Sequence, residues 1–171
     1  MLLADTYLSF PDFRAVERTY ALLTQVAGRA GRGERPGKVV IQTYHPDHYA
    51  IQAAVNHDDE RFAEEELRFR QMFHYPPFTR MVHLLVQDSS RRRAEERIGE
   101  LASDLERQAA AGVIRVSGPA PAPFERLRGK WRFQLLIRAS SGREIRDLVR
   151  RILPTRSTSD LVVDVDPYEL L

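Results

Sequence analysis

The order of strand-like and helix-like segments after residue 79 constrains the fold of this chain most strongly. Apolar residues recur at helical spacing between Ala94 and Leu105, and again between Ile145 and Leu153. Short apolar or alternating runs, which are typical of strands, precede, separate and follow these two helices. These runs are residues 81–86, 113–116, 131–138 and 161–166. The predicted order of elements is therefore βαββαβ.

This order is typical of the ferredoxin-like fold, in which two helices cover one face of a four-stranded antiparallel sheet. We therefore predict a mixed α/β protein of the α+β type, with this domain over residues 79–171. No helix is predicted on the second face of the sheet, so we expect that face to be open. Open faces of such sheets often bind nucleic acid.

The third predicted strand and the loop before it carry most of the chemistry in this domain. One side of the strand is apolar and is expected to face the core: Trp131, Phe133, Leu135 and Ile137. The other side is polar: Lys130, Arg132 and Gln134. Together with the loop, it offers four candidate contacts to DNA phosphates: Arg126, Arg128, Lys130 and Arg132. The competing interpretation is an exposed strand whose charges only keep the protein in solution.

The same domain is the basic part of the chain. Residues 79–171 contain 17 Lys and Arg against 13 Asp and Glu, whereas residues 1–78 contain 9 against 11. Nearly all the cations are arginines, and the only lysines are Lys38 and Lys130. Arginine suits bidentate phosphate contacts, so the basic half is the better candidate for binding nucleic acid.

Composition excludes several other classes of protein. The chain has no cysteine, so these residues hold neither a disulfide framework nor a thiolate zinc site. His45, His48 and His57 lack the spacing and the carboxylate or Cys that a metal site needs, and we predict no metal site. No apolar run approaches the roughly 18 residues of a membrane span. We therefore expect a cytoplasmic protein without a membrane partner.

Residues 25–32 read Gln-Val-Ala-Gly-Arg-Ala-Gly-Arg and form the most specific motif. On a helix, Gln25, Arg29 and Arg32 lie along one face. Gly28 and the glycine three residues later each cost a helix about 1 kcal/mol relative to Ala. That cost favours a helix whose backbone is approached by a polyphosphate or a facing domain, and paired guanidinium groups can stabilise a transferring phosphoryl group. An ordinary solvated helix face is the alternative.

The other parts of a nucleotide-hydrolysing motor are missing from the sequence. A phosphate-binding loop of the form G-x-x-x-x-G-K-[ST] does not occur. In the nearest match, Pro36 removes a backbone donor and Val39 stands where Ser or Thr should hold the metal. No acidic D-E-x-H motif is present either. We therefore predict that this chain alone does not hydrolyse ATP.

Several separate motifs resemble the PriA replication-restart helicases, the primosomal protein N′ family. Residues 25–32 resemble motif VI of the superfamily 2 helicases, and residues 11–24 before them resemble this family in particular. The Arg-rich, Gly-containing run at residues 124–135 and the Asp-Val-Asp-Pro sequence at residues 164–167 are similar to the family's C-terminal domain. The resemblance covers nearly the whole chain.

The resemblance implies a division of the chain. Residues 1–50 would be the C-terminal part of a RecA-like second helicase lobe that includes motif VI. Residues 51–78 would be a helical connector, and residues 79–171 the family's C-terminal DNA- and partner-binding domain. We expect residues 79–171 to fold independently and residues 1–50 to be stable only when something covers them. The family's first motor lobe and its cysteine module for zinc lie outside this sequence.

The resemblance also implies an activity for the complete protein, which would couple hydrolysis of ATP with Mg to 3′-to-5′ DNA unwinding and reload the replicative helicase at stalled forks. Arg29 and Arg32 would approach the γ-phosphate as arginine fingers, in combination with the missing lobe. Gln25 and Gly28 would belong to the same nucleotide site. We expect no cofactor in this chain alone.

The partners implied by the resemblance are forked and single-stranded DNA, other primosome proteins, and the acidic tail of single-stranded-DNA-binding protein. Lys130 and Gln134 would receive that tail, and we expect a monomer. The alternative is a stand-alone nucleic-acid- or protein-binding module in which motif VI is a non-catalytic remnant.

Overall fold

The structure, a computed structural model, describes residues 2–30, 38–109, 113–152, 160–168 and 170. It divides into two compact units, Met1–Met72 and Phe73–Leu171. The predicted connector, residues 51–78, is thereby split between the two units. Within the described residues, no helix is both long and apolar enough to cross a bilayer.

In its described part, the first unit contains a short parallel sheet and four helices. Strand β1 (Leu2–Leu3) pairs with β2 (Ile41–Gln42). The helices are α1 (Asp5–Leu8), α2 (Ala15–Ala30), α3 (Tyr49–Asn56) and α4 (Asp59–Met72). β1 and β2 are equally short, with two residues in each strand.

An apolar core joins α2, α3 and α4. The rings of Tyr20 and Phe62 stack with centroids 3.8 Å apart. Other members of this core are Leu23, Ala50, Ile51, Ala53 and Ala54. α3 begins at His48, whose Nδ1 accepts a hydrogen bond from the Ala50 amide at 3.2 Å.

A buried ionic network also holds α2 and α4 together. The guanidinium group of Arg70 lies 2.6 Å from Oε2 of Glu17 and 2.7 Å from Oε1 of Glu66. The Tyr49 hydroxyl donates to the other oxygen of Glu66 at 2.6 Å. Burial, reinforced by this hydrogen bond to Glu66, raises the pKa of Tyr49. Arg70 and Glu66 thus neutralise each other in a largely buried position, whereas the Glu17 side chain is 42% exposed.

The second unit is built on four antiparallel strands: β3 (Arg80–Asp88), β4 (Ile114–Leu127), β5 (Lys130–Ala139) and β6 (Leu161–Val165). Its helices are α5 (Arg91–Gln108) and α6 (Gly142–Ile152). The strands lie in the order β4-β5-β3-β6, and each neighbouring pair is antiparallel. The predicted βαββαβ order and four-stranded antiparallel sheet are confirmed.

Both helices pack on one face of this sheet and enclose its core. The members with almost no exposed surface come from both helices and both central strands: Val82, Leu84, Ile98, Leu101, Leu105, Leu135, Ile137 and Leu148. The predicted apolar side of β5 is confirmed, since Phe133, Leu135 and Ile137 are buried and Trp131 packs against them while partly exposed.

Ser90 caps the start of α5. The Ser90 side chain accepts a hydrogen bond from the Arg93 amide at 3.5 Å. Asp88 accepts from the Ser90 amide at 2.7 Å and from the Arg93 guanidinium, also at 2.7 Å. The hydrogen bond from Arg93, with that from Ser90, lowers the pKa of Asp88 to about 2.

β4 is much longer than the strand predicted over residues 113–116. It continues through Pro119, Pro121 and Pro123, a stretch that sequence alone marks as loop. β4 is an edge strand, where proline is tolerated because its missing amide faces away from the sheet. Its pairing with β5 shifts between Ser117 and Ala120 and again between Pro121 and Arg126.

Gly118 is required for the close approach of β4 to β5. Its φ is +109°, and a Cβ at this position would lie 2.8 Å from the backbone oxygen of Gln134. We expect Gly118→Ala to lower the free energy of unfolding of the second unit by about 2 kcal/mol, because strained backbone conformations cost about 1–3 kcal/mol. Urea denaturation followed by the fluorescence of Trp131, the single tryptophan, measures this loss.

Gly99→Ala is the matched control for this substitution. Gly99 lies inside α5, and a methyl group added there would meet no atom within 4 Å. Alanine at this position should raise stability by up to about 1 kcal/mol through helix propensity. A Gly118→Ala protein as stable as the unmodified chain would contradict the close approach described above.

The prediction that the second face of the sheet is open is wrong at its centre. Met81, His83, Leu85 and Arg132 all point to this face, and each is at most 5% exposed. Part of the cover comes from the segment before β3. The Arg138 guanidinium, on the same face, donates to the backbone oxygen of Phe73 at 3.0 Å and lies 5.2 Å from the ring of Tyr75.

Candidate nucleic-acid interface

The β4–β5 hairpin ends in a tight two-residue loop, Arg128-Gly129. Leu127 pairs with Lys130, and both loop residues have positive φ, +50° and +79°. This combination is that of a type I′ turn, whose twist matches the twist of the strands. Because Arg128 occupies the first loop position, its exposed side chain stands at the tip of the hairpin.

Behind the tip, two arginines lie against the ring of Trp131. The guanidinium carbon of Arg91 is 5.4 Å from the centroid of its ring, and that of Arg126 is 5.3 Å away. Arg91, the first residue of α5, also forms an ion pair with Glu125 at 3.0 Å. Stacking on an aromatic ring orients a guanidinium group while leaving its N–H groups free for an anion.

Lys130 is not a free cation. Its ammonium nitrogen lies 3.1 Å from Oδ1 of Asp160, which precedes β6. The same carboxylate lies 3.5 Å from Nη1 of Arg97. An anion that binds Lys130 therefore competes with Asp160.

Arg132 differs from the other predicted DNA contacts in being buried. Its side chain is buried on the second face of the sheet, and its Nε has no hydrogen-bond partner among the described residues. Burial lowers the pKa of this guanidinium group. The expectation that Arg132 is exposed beside Lys130 is therefore wrong, since its side chain is almost wholly buried.

Gln134 also faces this covered side, and it is already hydrogen-bonded. Its Oε1 lies 2.9 Å from Nε2 of His83, and its amide nitrogen donates to the backbone oxygen of Pro121 at 3.4 Å. Burial lowers the pKa of His83, although the hydrogen bond to Gln134 opposes that effect. Gln134 is thus fixed in place by the strands on both sides of it.

The structure therefore leaves Arg126, Arg128 and Lys130 exposed at the hairpin end of the sheet, whereas it buries Arg132. Sequence reasoning missed Arg91. No local signal could have found it, because it reaches Trp131 only when α5 packs on the sheet.

Residues 25–30 of the predicted motif VI lie on the C-terminal half of α2. Gln25, Gly28 and Arg29 are exposed on one side of this helix. They border an open groove of about 540 Å³, together with Tyr20, Ala21 and Thr24. A methyl group on Gly28 would meet no atom within 4 Å, so nothing in the described part of this unit requires glycine there. The fourth predicted residue of this site, Arg32, lies outside the described residues.

The described residues contain no cluster of three or more His, Asp or Glu side chains that could hold a metal ion. His48 is occupied as the cap of α3, and His57 ends the same helix in the left-handed conformation. These histidines therefore have structural roles in the first unit.

Comparisons with known proteins found a matching family and several proteins of similar sequence. The sequence profile of the primosomal protein N C-terminal domain family matches residues 71–168. A replication restart protein PriA from Synechocystis sp. is 39% identical over 170 residues, which is 98% of this chain. Proteins with the same name from Bacillus subtilis and Treponema pallidum are 34% and 39% identical over 100% and 98% of the chain.

The matches cover only part of each relative. The aligned region is 20% of the Synechocystis protein, 22% of the Bacillus subtilis protein and 26% of the Treponema pallidum protein. This chain thus spans about a fifth to a quarter of the length of these curated relatives.

Proposed function

Because this chain belongs to the primosomal protein N C-terminal domain family, we propose that it is the C-terminal part of a replication-restart protein that binds branched DNA at stalled forks. The complete protein would couple ATP hydrolysis to 3′-to-5′ unwinding and reload the replicative helicase in the cytoplasm. The observation that carries the DNA-binding part is the β4–β5 hairpin, whose tip presents Arg128 in front of the Arg91–Trp131–Arg126 stack.

The hairpin has two features that suit a phosphate backbone. Its loop is only two residues long, so the exposed Arg128 side chain projects from a narrow tip that can approach a phosphate backbone. Arg126 and Arg91 are held against Trp131, which reduces the side-chain entropy that they lose on binding. Contacts of this kind position DNA without reading its sequence, as fork recognition requires.

The test of this proposal is the substitution Arg128→Ala. We expect weaker binding to forked DNA, and a plot of log affinity against log salt that is shallower by about 0.7–0.9, because one phosphate contact is lost. Fluorescence anisotropy across a salt series measures both quantities. The matched control is Arg107→Ala, since Arg107 is an exposed arginine of α5 paired within its own helix to Asp104. If both variants gave the same salt slope, Arg128 would make no phosphate contact and would serve only to keep the protein in solution.

Within the same proposal, Lys130 and Gln134 receive the acidic tail of single-stranded-DNA-binding protein, and further primosome proteins are partners. The tail would replace Asp160 as the carboxylate partner of Lys130. Since His83 holds Gln134 in position, that amide needs no reorganisation to accept or donate a hydrogen bond.

The motif VI residues support the ATP-dependent part of the proposal. Gln25 and Arg29 are exposed, and the open space above Gly28 would admit a polyphosphate to the backbone of α2. ATP with Mg would supply the hydrolysable phosphoryl group, with the site completed by a further motor lobe. Zinc would belong to the family's cysteine module, since this sequence contains no cysteine. The competing proposal is a stand-alone binding module. The substitution Arg29→Ala, through its effect on ATP turnover, distinguishes that module from the ATP-dependent protein.

A further inference from the structure

A groove of about 490 Å³ opens on the helical face of the second unit, between α6 and β6. Its floor is aliphatic and comes from both sides of the groove: Val82, Ile145, Val149 and Val165. Three arginines stand at its rim, Arg80, Arg143 and Arg146, against a single carboxylate, that of Asp166. The groove therefore combines an apolar floor with an excess of positive charge.

The rim charges are only partly neutralised. Arg80 forms an exposed ion pair with Asp166 at 3.1 Å, and Nε of Arg143 lies 4.0 Å from Asp147. Among the described residues, no acidic group forms an ion pair with Arg146. The rim therefore keeps positive charge that would attract a negatively charged ligand.

β6 forms the side of the groove, and it is an edge strand. It pairs with β3 on one side, and no strand in the described part of the chain pairs with its other side. The Asp166 amide donates to the oxygen of Met81, and the Gln87 amide donates to the oxygen of Asp160. Because antiparallel residues alternate in the direction of their backbone groups, the odd-numbered residues of β6 direct theirs outward: Leu161, Val163 and Val165.

The side chains of these residues fall on the helical face, where Leu161 and Val163 pack against the core and Val165 lines the groove. A strand added beside β6 would place every second side chain on this face, over Val165 and next to the arginines. Its remaining side chains would lie on the opposite face, beside Asp164. Backbone pairing and the groove would therefore act on the same segment of a partner.

We propose that this groove and the β6 edge bind an extended peptide segment of a partner protein. One face of that segment carries apolar and acidic side chains, and its other face carries neutral ones. The added strand would use the outward backbone groups of β6, as in other cases of β-strand addition. The apolar side chains would contact Val149 and Val165, and the acidic ones would pair with Arg143 and Arg146.

The composition of the groove lining favours a peptide over nucleic acid. Bases bind single-strand sites by stacking on aromatic side chains, and the residues lining this groove include no aromatic ring. The site is also distinct from the DNA-binding hairpin of the proposed function. Val165 pairs with Val82, whereas the hairpin begins beyond the opposite end of β3, where Asp88 pairs with Trp131. The two proposals can therefore fail separately.

The first experiment uses a fluorescein-labelled decapeptide in which Asp and Ile alternate on one face and Thr fills the other. We expect this peptide to bind the chain, and the double variant Arg143→Glu/Arg146→Glu to weaken binding at least about tenfold through charge repulsion at the rim. Arg150→Glu is the matched control, because Arg150 is exposed on the same helix but does not line the groove. Circular dichroism and Trp131 fluorescence show that each variant is folded.

The second experiment tests strand addition itself. One peptide carries N-methyl groups on all its Thr amides, and another carries them on all its Asp and Ile amides. Because alternate amides face the neighbouring strand, we expect one of these peptides to lose binding and the other to retain it. In NMR exchange measurements, the unmodified peptide should slow exchange at Leu161, Val163 and Val165.

Three results would overturn the proposal. The first is no binding of the decapeptide at millimolar concentration, and the second is equal binding of both N-methylated peptides. The third is an oligo(dT) strand that binds in place of the peptide and depends on Arg143 and Arg146, which would make the groove a nucleic-acid site.

Discussion

If the complete protein has the ATPase activity that we propose, Arg29→Ala is expected to reduce its DNA-stimulated ATP turnover at least about a thousandfold, because arginine fingers contribute about 10³–10⁵ to phosphoryl transfer. DNA affinity should remain nearly unchanged, since the DNA contacts that we propose lie in the other unit. Arg29 is exposed beside Gly28 on α2, where a nucleotide held by another lobe could reach it. The measurement is steady-state ATP hydrolysis with saturating forked DNA.

A chimera provides the complete protein for this test. This segment can replace the matching C-terminal residues of the Bacillus subtilis relative, which aligns with the whole chain at 34% identity. Arg61→Ala is the control, because Arg61 is an exposed arginine of the same unit on α4. Unchanged turnover in the Arg29→Ala chimera would reject the nucleotide role and favour the stand-alone binding module.

Arg70→Ala should destabilise the first unit by about 3 kcal/mol, because removing one member of a buried ionic network leaves the others uncompensated. The Arg70 side chain is 10% exposed and pairs with Glu17 and with Glu66, of which Glu66 is also 10% exposed. Amide hydrogen exchange in α3 and α4 should become roughly a hundredfold faster, if exchange follows unfolding of this unit.

The control for this substitution is Arg68→Ala on the same helix, where the side chain is 73% exposed and forms a loose pair with Glu65. That change should cost at most about 0.5 kcal/mol. Combining Arg70→Ala with Glu66→Gln should recover part of the loss, since it removes one unpaired charge. If Arg70→Ala matched Arg68→Ala in stability, the network would contribute nothing.

The folding of the second unit could be predicted from local patterns because its helices and central strands follow simple periodicities. The five apolar positions from Ala94 to Leu105 defined the buried side of α5, and alternation defined both sides of β5. β4 could not be predicted in the same way. Prolines inside a strand are acceptable only at an edge, and the position of a strand in a sheet is a property of the whole fold.

Part of the candidate site could also be predicted from local sequence. Arg126, Arg128 and Lys130 lie close together in sequence, so any hairpin at residues 128–129 brings them to one end of the sheet. The burial of Arg132 and the pairing of Lys130 with Asp160 depend on segments that lie far away along the chain. Alternation shows which side of a strand a residue faces, but it does not show whether that side is covered.

The first unit differed most from expectation. Residues 51–78 were assigned to a helical connector, and charged residues interrupt the apolar side of α4 within it. In the structure, two of those charged residues, Glu66 and Arg70, are themselves buried and bind each other. A hydrophobic pattern cannot show a helix whose buried side is partly ionic.

The central claim is that this segment recognises fork structure through its basic hairpin, and one binding experiment tests it most directly. Fluorescence anisotropy would compare the affinity of this chain for forked, single-stranded and blunt duplex DNA across a salt series. We expect tighter binding to forked or single-stranded DNA, with an affinity that falls as salt rises. Absent binding, or equal binding to all three DNA forms, would contradict the claim and assign fork recognition to other parts of the protein.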